Sequence, residues 1–468
     1  MSIRVTVFSF VVLWLSLYAW RNWFRALCGA VVLMAFLQHP DIPKSILGIT
    51  GFNLWNFLVL NVLGSWLLHR QGEGLVWDMP RGVKSAFLLY LAVIIWAFLR
   101  FVIDPTQFYS FGRDEIVVDY LINPLKYLIP CFLLYDGCRT QDRVVWGLSS
   151  IVLLYLLLAM EVARHMGLQI DLSGSELSSK AAKVINHSTG YNRVDMSMML
   201  AGASWATLVF SQLMPTKRLR WLCWGAAVVM LWAQAMTGGR AGYVTWGFVG
   251  LIFCLVKWRK LLLFLPVAVI LISVAIPGVK ERMLEGFGGR HGDSVEQTDS
   301  SEITSGRTDM WPYVIAKIKQ APLLGYGRLG IITTGLSSDL QVEIGEGFGH
   351  PHNAYLEILL DDGVLGFLFI LPVYVMITHR SFRLFWEGEC MLYQVAGGMA
   401  LALFLALFFA AFGAQTFYPR ESALGMWAAA GIALRVWVER DAGSMALLGE
   451  VATDDAADES TLPEAVLL

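Results

Sequence analysis

The chain has 468 residues, 56% apolar and 15% charged, with a mean hydropathy of +0.58 and a formal net charge of −2. This composition excludes an ordinary soluble domain. With no face rich in Lys and Arg, it also argues against a nucleic-acid partner. The six cysteines form no CxxC pair, and we interpret them as core residues.

Apolar runs long enough to cross a bilayer recur from end to end. Because the hydrocarbon interior offers the backbone no hydrogen-bonding partner, and alternating strands of about ten residues are not seen, these runs predict helices. The sequence therefore predicts an all-α polytopic membrane protein with about 12 to 14 spans. The predicted spans are 5–20, 25–38, 47–68, 83–103, 118–135, 144–163, 195–213, 219–236, 241–256, 261–277, 353–378, 391–412 and 422–438.

Basic residues concentrate in alternate loops, and by the positive-inside rule these loops face the cytoplasm. They include Arg21, Arg25, Arg70, Arg81, Lys84, Arg139, Arg143, Lys217, Arg218, Arg220, Lys257, Arg259, Lys260, Arg380, Arg383, Arg435 and Arg440. The outward loops are then 164–194, 237–240, 278–351 and 417–421. We expect ten spans in 1–277, an outward loop with interfacial helices in 278–351, three spans in 352–440 and a disordered acidic cytoplasmic tail in 441–468.

The long outward loop predicts an interfacial helix after Ser305, which is a candidate N-cap, with Pro312 in the first turn. Its apolar face would contain Met310, Val314, Ile315 and Ile318. The Gly-rich stretch 286–304 upstream is either an access flap over a site or a plain flexible loop.

The segment GHPHNAYLEILLDDGVLG, residues 349–366, follows this loop and leads into an apolar run. It contains His350, His352, Asn353 and Glu357, which are more polar side chains than the start of a helix requires. A reaction in this segment would take place at the outward-facing surface of the membrane that the chain spans. The alternative is that His352 simply caps the following helix. The adjacent Asp361 and Asp362 suggest no role.

His352, Asn353, Gly363 and Gly366 fit the ligase signature of a histidine, then Asn, Ser or Gln, nine residues, Gly, two residues, and Gly, Thr or Tyr. MTGGRAGY, an SGR followed by tryptophan, and PLLGYG precede it. On these motifs the chain resembles the O-antigen ligase and polymerase superfamily of bacterial membrane glycosyltransferases, over about residues 195–412 and elsewhere by hydropathy only. The FYPRES sequence around Arg420 departs from the signature and leaves the acceptor open.

The resemblance implies a GT-C-like fold with one long, partly helical periplasmic loop. It implies transfer of a glycan from an undecaprenyl diphosphate carrier to an acceptor hydroxyl, on lipid A-core or a similar glycan, at the periplasmic face of the inner membrane. Neither nucleotide sugar nor metal is expected, and we predict no cofactor. Arg240 and Arg307 suit the diphosphate, because a guanidinium is forked and stays ionised. His352 suits the general base.

Four further residues are candidates for substrate binding, namely Arg193, His350, Asn353 and Arg420. The arginines have structural alternatives. Arg193 and Arg240 can snorkel to lipid headgroups, Arg307 can be an exposed loop arginine, and Arg420 can pair with Glu421. Lys126, in the middle of a predicted span, needs a partner or a cavity.

Three functions remain open on the sequence: a ligase, a repeat-unit polymerase of O-antigen or exopolysaccharide, and a transporter. The first two would use the same base and arginines. A transporter is disfavoured because no internal repeat is visible and the polar residues gather on one side of the membrane.

Overall fold

The computed structural model describes residues 2–46, 48–103, 112–167, 172–275, 277–284, 290–291, 294–295, 307–414 and 417–441. Most of the predicted flap, the Ser305 cap and the tail beyond Asp441 lie outside these residues.

The described chain is helical apart from two paired strands of two residues each, so the all-α prediction is confirmed. The helices are α1 (Ile3–Ala19), α2 (Trp23–Leu37), α3 (Leu54–His69), α4 (Arg81–Ile103), α5 (Arg113–Val117), α6 (Asn123–Lys126), α7 (Ile129–Gly137), α8 (Gln141–Met166), α9 (Gly174–Thr189), α10 (Arg193–Phe210), α11 (Lys217–Met236), α12 (Arg240–Val256), α13 (Phe264–Ala275), α14 (Pro277–Leu284), α15 (Arg307–Gln320), α16 (Gly330–Thr333), α17 (Leu336–Glu343), α18 (Ala354–Asp361), α19 (Gly363–Glu387), α20 (Met391–Ala410) and α21 (Leu424–Asp441). A π-helix (Val118–Ile122) joins α5 to α6, and 3₁₀ turns occur at Ser211–Leu213, Arg259–Leu263 and Glu421–Ala423. The strands β1 (Arg290–His291) and β2 (Ser294–Val295) are antiparallel.

Seven of the described helical stretches are long and apolar enough to cross a membrane, which makes this a multi-pass membrane protein. They are Arg81–Ile103, Asp114–Gly137, Gln141–Met166, Arg193–Leu213, Lys217–Met236, Gly363–Glu387 and Met391–Ala410. Four shorter apolar helices, α1, α2, α3 and α12, match other predicted spans. The total number of spans stays a prediction.

Helices α10 and α20 form the buried centre of the bundle. Small residues let them approach closely, since a Cβ added at Gly202 would lie 2.8 Å from the Ala406 methyl group. Tight crossings of this kind replace the hydrophobic drive that is absent between helices in lipid.

At one end of the bundle, basic residues from several predicted cytoplasmic loops share carboxylates. Arg139 and Arg435 both bind Asp78, and Arg70 binds Asp136 at 2.9 Å. Residues that are far apart in sequence therefore meet at one end of the bundle. The charge pattern predicts that this end faces the cytoplasm.

The predicted span 353–378 is wrong at its start. Helix α18 ends at Asp361, and α19 begins at Gly363, whose φ is +64°. The turn is fixed by the neighbouring loop, because the backbone N–H groups of Val364 and Leu365 donate to the Pro322 and Leu323 carbonyls. Apolar content continues through this corner, so hydropathy alone did not reveal it.

A helix, α15, is present at the predicted position, but Pro312 lies inside it rather than in its first turn. Its interfacial location stays a prediction. Met310 and Val314 are buried, and Ile318 packs beside them. Ile315 is exposed, so the apolar face is narrower than predicted.

Candidate functional site

The histidine segment forms the entry to α18. Asn353 is the N-cap, and its side-chain oxygen accepts hydrogen bonds from the N–H groups of Tyr355 and Leu356. The Ala354 N–H donates to the carbonyl of Ala411, which ties this entry to the end of α20. The sequence reading of a helix start is confirmed, but Asn353 rather than His352 provides the cap.

His352 adopts a left-handed backbone conformation, with φ +50°. Few residues other than glycine do so, and such strain is held only where the surroundings enforce it. Here the His352 N–H donates to Nδ1 of His350 at 3.2 Å, and the two ring centroids lie 3.9 Å apart. His350 is thus in direct contact with His352 through the backbone N–H and the ring, and its Nδ1 acts as an acceptor.

Helix α18 also presents two carboxylates to one arginine whose side chain is only 11% exposed. Arg328 Nη1 donates to Glu357 Oε1 at 2.9 Å and to Asp361 Oδ2 at 3.0 Å. Its guanidinium lies 3.6 Å from the ring centroid of Tyr418, and the Gly330 N–H donates to the other oxygen of Asp361. Because every partner is buried, this network fixes α18 firmly against the loop that carries Arg328.

Asp362 extends the network. The Tyr418 hydroxyl donates to Asp362 Oδ2 at 2.5 Å and lies 3.3 Å from Asp361 Oδ2. Burial, reinforced by the charge of Asp361, raises the pKa of Asp362 from 3.8 to about 8. The site therefore holds a carboxyl group that keeps its proton near neutral pH.

Sequence reasoning gave no role to Arg328, Asp361 or Asp362. Two signals for them were present. Glu357 and Asp361 are spaced four residues apart, which puts both on one helical face, and Arg328 directly follows the PLLGYG motif.

Arg328 also reaches a polar cavity of about 670 Å³. The cavity is bounded by the loop after α2, the stretch around the π-helix and the segment 418–421. Its charged lining residues are Lys44, Glu115, Asp119, Lys126, Arg328, Arg420 and Glu421. Such mixed charge suits a ligand with both phosphate and hydroxyl groups.

Lys126, which lies in a candidate span and was expected to need a partner or a cavity, has both. Its Nζ donates to Asn123 Oδ1 at 2.6 Å and lies 4.6 Å from the ring centroid of Tyr127. These contacts explain how a lysine is accommodated in a candidate span.

Two of the predicted arginines, Arg193 and Arg420, make contacts at the first turn of α10, and the backbone just before Arg240 lies beside them. Arg420 Nη1 lies 3.8 Å from Asp195 Oδ2. Arg193 Nη1 donates to the carbonyl of Gly238 at 3.1 Å, and Gly238 lies two residues before Arg240. The negative charge of Asp195 raises the pKa of Arg420 against the opposing effect of burial, and Glu421 and Glu357 add to the rise.

Arg307 begins α15, and its side chain lies outside the described part of the structure. One helical turn later, the Trp311 indole N–H donates to the Pro351 carbonyl at 3.1 Å. The backbone of α15 therefore lies beside the histidine segment. Among described residues, the cavity lining includes Arg420 but neither His352 nor Arg240.

Comparison with known proteins identifies a family that part of the chain matches. Residues 225–371 match the O-antigen ligase family. The resemblance predicted from the motifs is confirmed for this segment, which contains Arg240, Arg307, Arg328 and the whole histidine segment. Arg193 and Arg420 lie outside it.

Relatives of the chain share low sequence identity. An uncharacterised protein of Haemophilus influenzae is 22% identical over 316 residues, covering 63% of this chain and 79% of the relative. Proteins of Rickettsia conorii and Rickettsia typhi, both provisionally named polysaccharide ligases, are each 28% identical, over 33% and 31% of this chain. The alignments span only 38% and 37% of the two Rickettsia proteins. These findings support ligase-type glycan transfer at the level of the family.

Proposed function

We propose that the protein transfers a glycan from an undecaprenyl diphosphate carrier to an acceptor hydroxyl at the periplasmic face of a bacterial inner membrane. The observation that carries this proposal is the O-antigen ligase match, which spans Arg240, Arg307 and His352. The acceptor is lipid A-core or a related glycan. The polysaccharide ligase names of two relatives favour a ligase over a repeat-unit polymerase.

In the proposed reaction His352 is the general base. The imidazole takes the proton of the acceptor hydroxyl as its oxygen attacks the anomeric carbon of the donor sugar. A new glycosidic C–O bond forms, the C–O bond to the carrier breaks, and the leaving diphosphate keeps the electron pair. The strained backbone at His352 and the supporting contact from His350 favour a fixed imidazole position.

Arg240 and Arg307 are proposed to bind the diphosphate. Negative charge grows on the leaving group as the bond breaks, so fixed guanidiniums stabilise the transition state more than the ground state. Arg193 and Arg420 are proposed to bind substrate near the same end of α10, to which Arg420 is linked through Asp195. Asn353 holds the helix start and borders the same site.

The 670 Å³ cavity is proposed to receive sugar and phosphate groups of the substrates. Arg328 connects it to α18, the helix that follows His352. Because Arg328 is held by Glu357 and Asp361, a ligand that binds in the cavity would meet a guanidinium already oriented, at little entropic cost.

The proposal is tested with His352→Asn in a strain that lacks the chromosomal gene. Asparagine tolerates a left-handed backbone and offers no base, so the fold is expected to persist while transfer falls by roughly 10²- to 10⁴-fold. Product is measured as glycan on the acceptor, together with the amount of protein in the membrane.

His379→Asn is the matched control, because it makes the same substitution at an exposed histidine in α19. We expect nearly full activity to remain. Full activity of His352→Asn would refute the base assignment. Single repeats on the carrier in the deletion strain, in place of long carrier-linked glycan and bare acceptor, would identify a polymerase instead.

A further inference from the structure

A second large cavity lies at the basic end of the bundle, away from the candidate site. It has a volume of about 820 Å³ and is formed by α10, α11, α12, the start of α20 and the 3₁₀ turn Arg259–Leu263 with α13. The cavity is linked to that end by Lys257, whose Nζ donates to the carbonyl of Phe385. Two residues further, Glu387 binds Arg383 and Arg440. We call this cavity the basic groove.

The wall of the basic groove is mainly aromatic, with Trp205, Trp224, Trp246 and Trp258. Three of the four indole N–H groups are used inside the protein: Trp205 donates to the Trp246 carbonyl, and Trp246 and Trp224 donate to serine hydroxyls. The indole rings therefore line the groove as apolar surface, which suits hydrocarbon chains.

The rim of the groove is cationic. Arg220, Lys257, Arg259 and Lys260 line it, and no carboxylate is among its described lining residues. Arg220, Arg259 and Lys260 are exposed. Lys257, whose Nζ also donates to Gln394, is half-buried. An apolar wall beneath four cations matches a ligand with hydrocarbon chains and a negatively charged head.

We propose that the basic groove binds one anionic phospholipid of the surrounding leaflet. Its phosphate lies among Arg220, Arg259 and Lys260, and its acyl chains pack on the tryptophan rings. Tryptophan rings and basic side chains are the groups that proteins place at headgroup depth, and basic pockets between membrane helices recognise anionic headgroups. This proposal is independent of the glycan chemistry at the other end of the bundle.

The test uses the full-length protein, purified and delipidated in detergent, and titrated with phosphatidylglycerol or phosphatidylcholine while bound lipid is counted by native mass spectrometry. We expect phosphatidylglycerol to be retained at least about tenfold more tightly. The triple variant Arg220→Ala, Arg259→Ala and Lys260→Ala should lose this preference, because each basic residue contributes roughly fivefold to the attraction.

The matched control is the triple variant Arg21→Ala, Arg81→Ala and Lys84→Ala, which removes three exposed basic residues elsewhere at the same predicted side. It should retain the lipid as the unaltered protein does. Equal retention of the two lipids, or unchanged retention in the groove variant, would overturn the proposal. Displacement by millimolar inorganic phosphate would also overturn it, since the occupant would then be a free anion. A charge-reversed variant, Arg220→Glu with Lys260→Glu, should reject phosphatidylglycerol and provides a second reading.

Discussion

At the scale of single residues, Asp362 lies in an environment very different from water. It is buried at the corner between α18 and α19, beside Asp361, and its Oδ1 has no hydrogen-bond partner in the described part of the chain. Burial and the neighbouring negative charge of Asp361 both penalise the ionised form, which explains why the pKa of Asp362 rises to about 8.

Stability should therefore fall as pH rises from about 4 to 8. The unfolded chain releases this proton near the ordinary value of 3.8, whereas the folded protein keeps it up to about 8, so the folded state binds more protons across that window. Thermal unfolding in detergent at pH 6 and pH 8.5 measures the effect. Asp362→Asn, which mimics the protonated group, should flatten the dependence, while the exposed Asp339→Asn should not. Equal slopes for all three proteins would contradict the assignment.

The sequence located this site better than it described it. The histidine signature correctly marked the start of a helix beside the long loop, because polar residues at an apolar boundary are visible in one dimension. The ion network of Arg328 was not visible, since it depends on how a loop at 321–330 folds back onto α18. Arg240 and His352 were predicted as one constellation, and their joint role remains a prediction.

At the scale of elements, the corner between α18 and α19 redirects the chain from the site into the membrane. The predicted spans were otherwise close in position to helices, because long apolar runs in lipid have few alternatives to a helix. The sequence did not predict this corner, because it depends on one glycine with positive φ and on the backbone carbonyls of Pro322 and Leu323. A hydropathy value is averaged over many residues, so it does not register a turn at a single glycine.

Gly363→Ala should disrupt this corner. Alanine is disfavoured at φ +64°, and its Cβ would overlap the Leu323 carbonyl, so we expect a loss of at least about 2 kcal/mol in the free energy of unfolding. Gly247→Ala in α12 is the control, because a Cβ there meets no heavy atom within 4 Å, and it should change stability by less than about 1 kcal/mol. Denaturation in mixed micelles measures both. Equal effects would show that the corner is not fixed by Gly363.

At the scale of the whole molecule, Arg435 joins the last described helix to earlier parts of the chain. Its side chain is fully buried, its Nε donates to the carbonyl of Tyr135, and its Nη1 donates to Asp78 and Glu439 at 2.9 Å each. Arg139 also binds Asp78. The charge pattern predicted that these residues share a side, but pairings across more than 300 residues could not be read from it.

Arg435→Gln should destabilise the protein by roughly 1 to 3 kcal/mol, because the buried Tyr135 carbonyl and Glu439 lose a donor while Asp78 keeps Arg139. Arg383→Gln interrupts an exposed pair with Glu387 and should leave the unfolding temperature nearly unchanged. Thermal unfolding in detergent compares the two. A similar small effect for both would mean that water solvates Asp78 and Glu439 adequately in the folded protein.

The contact between Asp78 and Arg435 also bears on the order of biosynthesis. Asp78 leaves the ribosome more than 350 residues before its arginine, so the early helices must enter the membrane while this partner is still untranslated. Until α21 arrives, Asp78 has Arg139 but not Arg435, so the ion pairs at this end of the bundle are incomplete. Ion pairing at this end of the bundle is therefore finished only after Arg435 has been translated.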